Sequence, residues 1–375
     1  MDTKERMEAW RKRIDEIDDQ MVDLFAARME ASRQVAEEKA RQNLSILDTA
    51  REQEVVDRAV ARARGDLSGE VSLLMRAVMA LSRERQRGFL FQGGPPLLPP
   101  PRAPEWGRGP CVFQGVPGAW SEQALVQLFP EAERRAVEFF EDVFIEVKGR
   151  RARYGVVAIE NSQTGAIGET YDLLRRYGCY IVGRTWVEIR HCLLAPEGTA
   201  LSDVREVFSH PEGFKQCHRF LHGRAWDFTS CRNTAVAAVQ AAAAKDGRTA
   251  AIGSRRAAEL NDLRVLVPDI MDSAANRTSF VVIAAEPEYD IQSDLISITF
   301  STAHRSGALC ETLLPFMAQG INLMRIESRP ATTPDRYRFF AELSGSILDE
   351  EISAALRQAS ATCEYFEVIG CYRGA

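Results

Sequence analysis

The sequence lacks an excess of charge, paired cysteine motifs and a long apolar run, and each absence excludes a class of protein. Its 375 residues carry 47 lysines and arginines against 53 aspartates and glutamates, so no basic field is available to attract nucleic acid. The eight cysteines form no C-x-x-C pair, which favours free thiols in a reducing cytoplasm. The most apolar stretch, TAVAAVQAAAA, is shorter than a membrane span, and no secretory signal is recognisable at the start. We therefore expect no membrane partner.

Proline and glycine, by contrast, are concentrated in one place. They account for twelve of the 23 residues from 88 to 110, a density that interrupts helix and strand alike, so residues 91–109 are predicted to be a semi-rigid linker. Residues 1–90 have helical patterns, and residues 110–287 alternate short apolar runs with helical patterns. Residues 293–375 have the order βαββαβ. These patterns predict an all-α domain, an α/β domain with a mostly parallel sheet, and a ferredoxin-like α+β domain.

The N-terminal segment has a heptad seam of apolar residues from Met7 to Val35, which predicts one long helix. Arg28 stands in this seam, and Arg11 and Lys39 flank it, although a cation on a burying face is costly without a partner. At about 1.5 Å per residue, Arg28 and Lys39 are about 16 Å apart and can converge on one ligand. Arg11 is about 25 Å from Arg28 and must serve a site in a second chain. A helical dimer is therefore expected.

Two shorter helices are predicted to add polar groups to the same site. The first begins near Asp48, and Glu52 occupies a position typical of a helix cap. Ser82 and Gln86 are four residues apart and share a face of the next helix. A solvated helix surface would explain any one of these residues. Together with the cation Arg51 and those of the first helix, they suit a small dicarboxylate.

This region resembles the all-helical chorismate mutase domain, and each active-site position holds the expected residue type. The resemblance implies the rearrangement of chorismate to prephenate. This pericyclic reaction needs no cofactor, only a folded substrate and donors for the charge that develops on the ether oxygen. The roles implied are carboxylate binding by Arg11 of the partner chain, Arg28 and Arg51; contact with the ether oxygen by Lys39 and Gln86; and hydroxyl binding and orientation of neighbours by Asp48, Glu52 and Ser82.

The middle segment carries polar residues at the ends of two predicted strands. The stretch GVVAIENS ends with Glu160, Asn161 and Ser162, and SAANRTSFVVIAA contains Asn276 and Thr278 just before an apolar run. A turn or a strand cap would explain either stretch alone. Neighbouring His218 and His222 have the spacing of a helical zinc pair, but no acidic third ligand accompanies them, so no metal is expected.

Together with HCLLA at 191–195, SHP at 209–211, Gln216 and AAIGS, these stretches resemble prephenate dehydratase. The resemblance implies two α/β lobes, as in periplasmic binding proteins, with the site in the cleft between them. The reaction implied removes the ring hydroxyl as water and the carboxyl group as CO₂, giving phenylpyruvate. Thr278 matches the catalytic threonine. The candidate site residues are Glu160, Asn161, Ser162, Asn276 and Thr278.

One position departs from the family pattern. The family usually has Thr-Arg-Phe where this chain has Thr278, Ser279 and Phe280, and a serine cannot bind a carboxylate through two parallel hydrogen bonds as an arginine does. In extended chain, positions 277 and 279 project to the same side. Arg277 is therefore the candidate substitute for the missing charge, and Ser279→Arg is expected to raise dehydratase activity or leave it unchanged.

The C-terminal βαββαβ unit resembles the ACT regulatory domain of phenylalanine-controlled enzymes. Its effector motifs are matched by Gly307, Ala308 and Leu309 and by Glu327, Ser328, Arg329 and Pro330. Each stretch alone would be an ordinary helix start or turn. The resemblance implies phenylalanine as effector, with its carboxylate at the amides of the first motif and with the second motif closing the pocket. Binding between two such domains implies a homodimer or homotetramer.

The order of the three resemblances is that of the bifunctional chorismate mutase/prephenate dehydratases of phenylalanine biosynthesis, which we expect to be cytoplasmic and to need no cofactor. Alternative interpretations are a dehydratase that prefers arogenate, and an active mutase fused to an inactive dehydratase lobe that senses phenylalanine. The sequence at Ser279 motivates the second alternative. A solute-binding protein shares the two-lobed fold, but the expected lack of a signal sequence argues against it.

Overall fold

The computed structural model describes residues 3–42, 44–90, 96–106, 108–331 and 336–374. By contacts the chain separates into two compact units. The first unit contains Met1–Leu97, Thr302–Gly320 and Glu351–Glu364, and the second contains Leu98–Ser301, Ile321–Glu350 and Tyr365–Ala375. Because the C-terminal segment contributes to both units, the domain boundaries expected from the sequence remain predictions.

The first unit is helical, as its heptad pattern predicts. Its helices are α1 Thr3–Arg41, α2 Thr49–Arg62, α3 Ser68–Leu90, α11 Ala308–Ala318 and most of α12 Glu350–Ser360. Helix α2 begins as predicted, because the Asp48 side chain accepts a hydrogen bond from the Arg51 amide at 3.0 Å and so satisfies one of the free donors of the first turn. Helix α1 packs against α3.

The second unit contains two sheets with helices packed on them. The larger sheet and its helices are formed by β1 Cys111–Gln114, α4 Trp120–Leu128, β2 Arg134–Val137, α5 Phe140–Lys148, β3 Tyr154–Asn161, β4 Gly165–Ala166, α6 Gly168–Tyr177, β5 Tyr180–Glu188, β11 Arg277–Ala284, β12 Leu295–Thr302, β13 Leu323–Pro330, β14 Tyr337–Ser344 and β15 Cys363–Tyr372. The strand order is β13-β14-β12-β15-β5-β11-β3-β1-β2, with β4 paired to β3.

The smaller sheet belongs to the chain between β5 and β11. Its strands and helices are β6 Cys192–Pro196, β7 Glu206–Ser209, α7 Pro211–Gln216, α8 His218–Leu221, β8 Asp227–Ser230, α9 Thr234–Ala244, β9 Thr249–Gly253, α10 Arg255–Leu260 and β10 Leu263–Val267. Its strand order is β10-β6-β9-β7-β8. The chain leaves the larger sheet after β5 and returns to it through β11, so two α/β lobes are present as expected.

The prediction of a mostly parallel sheet is wrong. Strand β11 runs antiparallel to both of its neighbours, β3 and β5, and β6 is antiparallel to β9 and β10. Strand β11 is buried on both faces along nearly all of its length. Such a strand has the same continuous apolar sequence in either direction, so the local pattern cannot reveal its orientation.

The predicted linker forms neither helix nor strand in its described part, but it is not a free spacer. From Leu98 onward it belongs to the second unit. Leu98 is buried, the Pro99 carbonyl accepts a hydrogen bond from Tyr289 at 2.6 Å, and the Trp106 ring lies 5.2 Å from that of Phe129. These apolar side chains gain by leaving water, which explains why the segment packs. Residues 91–95 and 107 of the predicted linker lie outside the described residues.

The C-terminal segment has the predicted element order βαββαβ. Its strand β15 joins the larger sheet beside β5, with Gly370 opposite Ile181. A Cβ at position 370 would collide with the carbonyl oxygen of Ile181, so glycine permits the two backbones to approach.

Three general observations concern the described residues only. No helix in this part of the chain has the length and hydropathy that a membrane span requires. No group of three or more metal-ligating side chains is found there. All eight cysteines are free thiols, and most of them are buried.

Candidate active sites

A cavity of about 400 Å³ lies among the three N-terminal helices. Seven of the eight residues predicted for the mutase site line it: Arg28, Lys39, Asp48, Arg51, Glu52, Ser82 and Gln86. Helical spacing explains this convergence, because positions 28, 32, 35 and 39 share one face of α1, and positions 79, 82, 83 and 86 share one face of α3. The helices place these polar faces toward one another.

The side chains in this cavity are held by contacts with each other and with backbone. Arg28 donates to the hydroxyl of Ser82, Lys39 donates to the carbonyl of Ile46 at 2.6 Å, and the Gln86 amide donates to Ser32 at 2.6 Å. Burial lowers the pKa of the Arg28 guanidinium, an effect that Glu52 partly offsets. The guanidinium nevertheless stays charged at neutral pH, because its pKa starts so far above that range.

Two cations of this cavity were missed by the sequence analysis, namely Arg58 and Arg83. Arg58 lies two turns beyond Arg51 on α2, so helical spacing could have identified it. Arg83 is buried; it donates to Glu52 and, through its other terminal nitrogen, to Glu311 of α11 at 2.6 Å. Glu311 is distant in sequence, and no local pattern indicates this pairing.

Arg11 does not line the cavity of its own chain. It lies on the N-terminal half of α1, where the apolar side chains of the heptad seam are exposed, including Met7 at 51% and Trp10 at 70% of their accessible surface. The helix extends well beyond the part that packs on α3, as expected for a helix that needs a second copy to cover it.

The second candidate site lies where β3 and β11 end, next to the smaller sheet. Thr278 is the register partner of Asn161 on the neighbouring strand, and the Asn161 amide donates to the Thr278 hydroxyl at 2.9 Å and to Asn276 Oδ1 at 2.9 Å. Asn276 in turn donates to Gln216 Oε1 at 3.0 Å. The side chains of Asn161, Asn276 and Thr278 are all at least 90% buried.

The orientation of each side chain in this network is fixed by the side chain before it, starting from Asn161. Asn161 Oδ1 accepts from the backbone amides of Gln163 and Thr164, so its NH₂ group must face Thr278. Gln216 Oε1 is an acceptor for Asn276, and His191 Nε2 lies 2.9 Å from the same oxygen.

His191 must therefore carry its proton on Nε2. Its Nδ1 is buried without a hydrogen-bond partner among the described residues, and burial lowers the pKa of His191 despite the bond to Gln216. His191 and Gln216 fall in stretches that carry the family resemblance, but the sequence analysis did not include them among the site residues.

Two of the predicted dehydratase residues have other roles. Glu160 points to the opposite face of β3 from Asn161, because side chains alternate along a strand, and there it pairs with Arg325. It does not join the Thr278 network. Ser162 donates to the Ala275 carbonyl at 3.1 Å and accepts from the Arg277 amide at 3.0 Å, so it fastens the two strand ends together.

The structure also shows which side of β11 carries residues 277 and 279. Ser279 is fully buried, and its register partner is Glu160, so it faces away from Thr278. The guanidinium of Arg277 lies on the same face as Ser279, 4.3 Å from the centre of the Trp186 ring. The expectation that positions 277 and 279 project to the same side is therefore confirmed, and this side is the one opposite to Thr278. Arg184 already occupies that side of the strand and donates to Ser279 at 2.8 Å, so we now expect Ser279→Arg to bring no benefit.

The regulatory candidates lie at the ends of two elements. Gly307 is the N-cap of α11 and has a φ of 78°, a left-handed conformation that glycine adopts without strain; Ala308 and Leu309 begin the helix. Residues 327–330 form the end of β13, where Arg329 pairs with Asp172 of α6 at 2.9 Å.

Comparison with known proteins assigns both parts of the chain to families. The family model for prephenate dehydratase matches residues 111–288, and that for chorismate mutase type II matches residues 10–87. The bifunctional chorismate mutase/prephenate dehydratase of Escherichia coli is 29% identical over 97% of this chain and 95% of its own length. The arogenate dehydratase/prephenate dehydratase 2 of Arabidopsis thaliana is 35% identical over 70% of this chain and 72% of its own length.

Among solved structures, the prephenate dehydratase of Arthrobacter aurescens in complex with L-Phe has a TM-score of 0.65 and 27% identity, covering 70% of this chain and 89% of that one. The fold and the two sites thus define an enzyme that joins a helical mutase domain to a two-lobed α/β dehydratase domain. The chain belongs to the bifunctional chorismate mutase/prephenate dehydratase family of phenylalanine biosynthesis.

Proposed function

We propose that the helical cavity rearranges chorismate to prephenate. The observation that supports this most directly is the convergence of seven predicted residues on one cavity. Arg28 and Arg51 bind the substrate carboxylates, and Lys39 and Gln86 stabilise the charge on the ether oxygen. Asp48, Glu52 and Ser82 bind the hydroxyl and orient their neighbours. Arg11 of a second chain also binds a carboxylate of the substrate. The proposal therefore includes a homodimer, or a tetramer built from such dimers.

We propose further that the cleft beside Thr278 converts prephenate to phenylpyruvate. Because Asn161 donates to the oxygen of Thr278, the hydroxyl keeps its own hydrogen for the leaving hydroxyl of the substrate. Asn276, held by Asn161 and Gln216, lines the same site. Departure of water and CO₂ aromatises the ring, so the protein needs to supply only orientation and this hydrogen bond.

The C-terminal segment is proposed to be an ACT domain that binds phenylalanine and inhibits the dehydratase. The strand order β13-β14-β12-β15 and the L-Phe complex of the Arthrobacter relative support this. The roles of Gly307–Leu309 as carboxylate ligands and of Glu327–Pro330 as pocket residues are carried over from the resemblance alone. We propose a cytoplasmic location, which agrees with free cysteines.

The test is a direct assay of both activities on the purified protein. Chorismate consumption and phenylpyruvate formation from prephenate are followed by ultraviolet absorbance, each with and without phenylalanine. Calorimetry with phenylalanine measures binding independently of the kinetics. Mutase activity without phenylpyruvate formation would favour the alternative of an inactive, sensing dehydratase lobe.

An arogenate preference is a second candidate, because the 35%-identical Arabidopsis relative is described as acting on arogenate as well as prephenate. Arogenate carries an amine where prephenate carries a ketone. Comparison of kcat/KM for the two substrates decides between them, and a higher value for arogenate would replace the prephenate assignment.

A further inference from the structure

The serine that departs from the family pattern has a specific partner. Arg184 of β5 donates from Nε to the Ser279 hydroxyl at 2.8 Å. The register partner of Arg184 on β11 is Val281, two residues from Ser279, and diagonal neighbours of this kind share a face of the sheet. A guanidinium thus reaches the neighbourhood of position 279 from the adjacent strand.

The same arginine is held by acidic side chains on both sides. It donates to Glu342 of β14, and its Nη2 lies 3.8 Å from Glu160 Oε2. Glu342 also accepts from the Tyr372 hydroxyl at 2.9 Å, and Glu160 also pairs with Arg325. We name Arg184, Ser279, Glu160, Arg325 and Glu342 the Arg184 cluster. Its two cations and two carboxylates balance, as a largely buried group of charges requires.

The cluster lies directly behind the dehydratase site. Ser279 follows Thr278, and Glu160 precedes Asn161; the two pairs Thr278–Asn161 and Ser279–Glu160 are consecutive rungs of the same ladder. On the front face of the sheet, these strands carry the Asn161–Thr278 hydrogen bond. On the back face, Arg184 binds Ser279. Movement of the back would displace the reacting hydroxyl, and a misplacement of about 1 Å costs about 10²-fold in rate.

We propose that Arg184 is a positioning residue for the dehydratase reaction, and that it brings a guanidinium from β5 to Ser279, the position at which the resemblance leads us to expect an arginine. This inference rests on the proposed dehydratase function. Restoring arginine at 279 would place a third cation in a neutral, buried cluster with no acid to pair with it, which is strongly unfavourable.

The smallest test is Ser279→Ala, which removes one acceptor without adding volume. We expect kcat for phenylpyruvate formation to fall about tenfold, because loss of one of the three polar contacts of Arg184 should displace the Thr278 hydroxyl by less than the ~1 Å that costs about 10²-fold. The KM for prephenate should change less than about twofold, since Arg184 does not touch the substrate. An unchanged kcat would overturn the proposal.

Relocation of the charge gives the sharper test. Ser279→Arg alone should lower kcat by about 10²-fold, whereas the double variant Arg184→Ser/Ser279→Arg returns the charge balance and should recover most of the wild-type rate. The matched comparison is Arg277→Ser/Ser279→Arg. It has the same net charge and removes the other guanidinium that lies over the Trp186 ring, and it should not recover.

The outcomes of these variants distinguish the proposed role of Arg184 from the alternatives. Equal recovery in both double variants would mean that only net charge matters, and full activity of Ser279→Arg alone would mean that Arg184 does not fill its place; both overturn the inference. If a double variant fails to fold by circular dichroism, Ser279→Ala decides alone. A wild-type protein that forms no phenylpyruvate contradicts the proposed function, whereas an active wild type that is insensitive to Ser279→Ala contradicts only the positioning role.

Discussion

At the scale of single residues, both candidate sites depend on groups whose orientation is fixed by their neighbours. The Asn161 amide is oriented by two backbone donors, and this orientation determines the direction of every hydrogen bond out to His191. The residues that touch substrate and those that hold them are therefore different, and substitutions at the two kinds of position should differ in their kinetic effects.

Thr278→Ala removes the hydroxyl that donates to the leaving group. We expect kcat for phenylpyruvate formation to fall by about 10²–10⁴-fold, the usual contribution of general-acid assistance, with little change in KM. Steady-state kinetics with prephenate measure both. Thr170→Ala, which removes a buried threonine that donates to the Ala158 carbonyl, is the comparison, and an equal loss of kcat in both variants would contradict a chemical role for Thr278.

His191 should titrate below its ordinary pKa of 6.5. Burial disfavours its charged form, so the neutral form is favoured in the folded state. Folding stability from this group is complete above pH 6.5 and is lost as the pH falls from 6.5 toward the lower folded-state pKa. Proton NMR of the five histidines, with His191→Gln to assign the signal, measures the midpoint. A midpoint at or above 6.5 would contradict a neutral imidazole with its proton on Nε2.

At the scale of elements, the C-terminal segment contacts the rest of the chain at identifiable residues. Strand β15 approaches β5 at Gly370, and helix α11 reaches the helical cavity through Glu311 and Arg83. The C-terminal segment thus contacts α3, which lines the helical cavity, and β5, which pairs with the strand that carries Thr278.

Gly370→Ala should weaken the joint between β15 and β5. The new Cβ would collide with the Ile181 carbonyl, and overpacking of this kind costs about 1–3 kcal/mol. We expect a lower melting temperature by circular dichroism and faster proteolysis of the C-terminal segment. Gly374→Ala is the matched control, because its Cβ would meet side-chain atoms, Leu295 at 3.1 Å and Asp294 Oδ1 at 3.4 Å, which can move. Equal melting of the two variants would argue against a tight joint.

Arg28→Ala should remove mutase activity and leave dehydratase activity within a few-fold. One charge-assisted contact is worth about 1.5–3 kcal/mol, which corresponds to about 10–100-fold in rate. Arg33→Ala on the same helix, where Arg33 pairs with Glu30 at 2.6 Å, should keep both activities. Parallel loss of both activities in a folded Arg28→Ala protein would contradict two separate sites.

At the scale of the whole molecule, we predict that one chain alone does not complete the mutase site. Its exposed heptad seam and the distance of Arg11 from its own cavity both call for a second copy, and an isologous pair would supply Arg11 to each site and cover both seams. Neither feature alone would establish this, but one symmetric arrangement accounts for both.

Co-refolding of Arg11→Ala and Arg28→Ala chains tests the shared site. Each variant alone should be inactive as a mutase. Mixed dimers contain one site with both arginines intact, so random pairing should restore about a quarter of wild-type activity. Sedimentation confirms dimer formation, and a mixture that forms dimers yet stays inactive would count against the exchange of Arg11.

The sequence by itself determined the helical first segment, the start of α2 close to Asp48, the order of elements and seven of the residues that line the helical cavity. Each of these depends on spacing along one element or on matching a family motif, and both kinds of signal are local. Residues 28 and 39 share a helix face because of helical periodicity alone, whatever they pack against.

The tertiary structure alone decided the direction of β11, the face of β3 that carries Glu160, the pairing of Arg83 with Glu311, and the place of Arg184 beside Ser279. Strand alternation reveals that Glu160 and Asn161 point apart, but only the register with β11 shows which of them meets Thr278. Arg184 and Ser279 are 95 residues apart in sequence. No periodic pattern extends over that distance, because the contact is created by the pairing of strands and not by the residues between them.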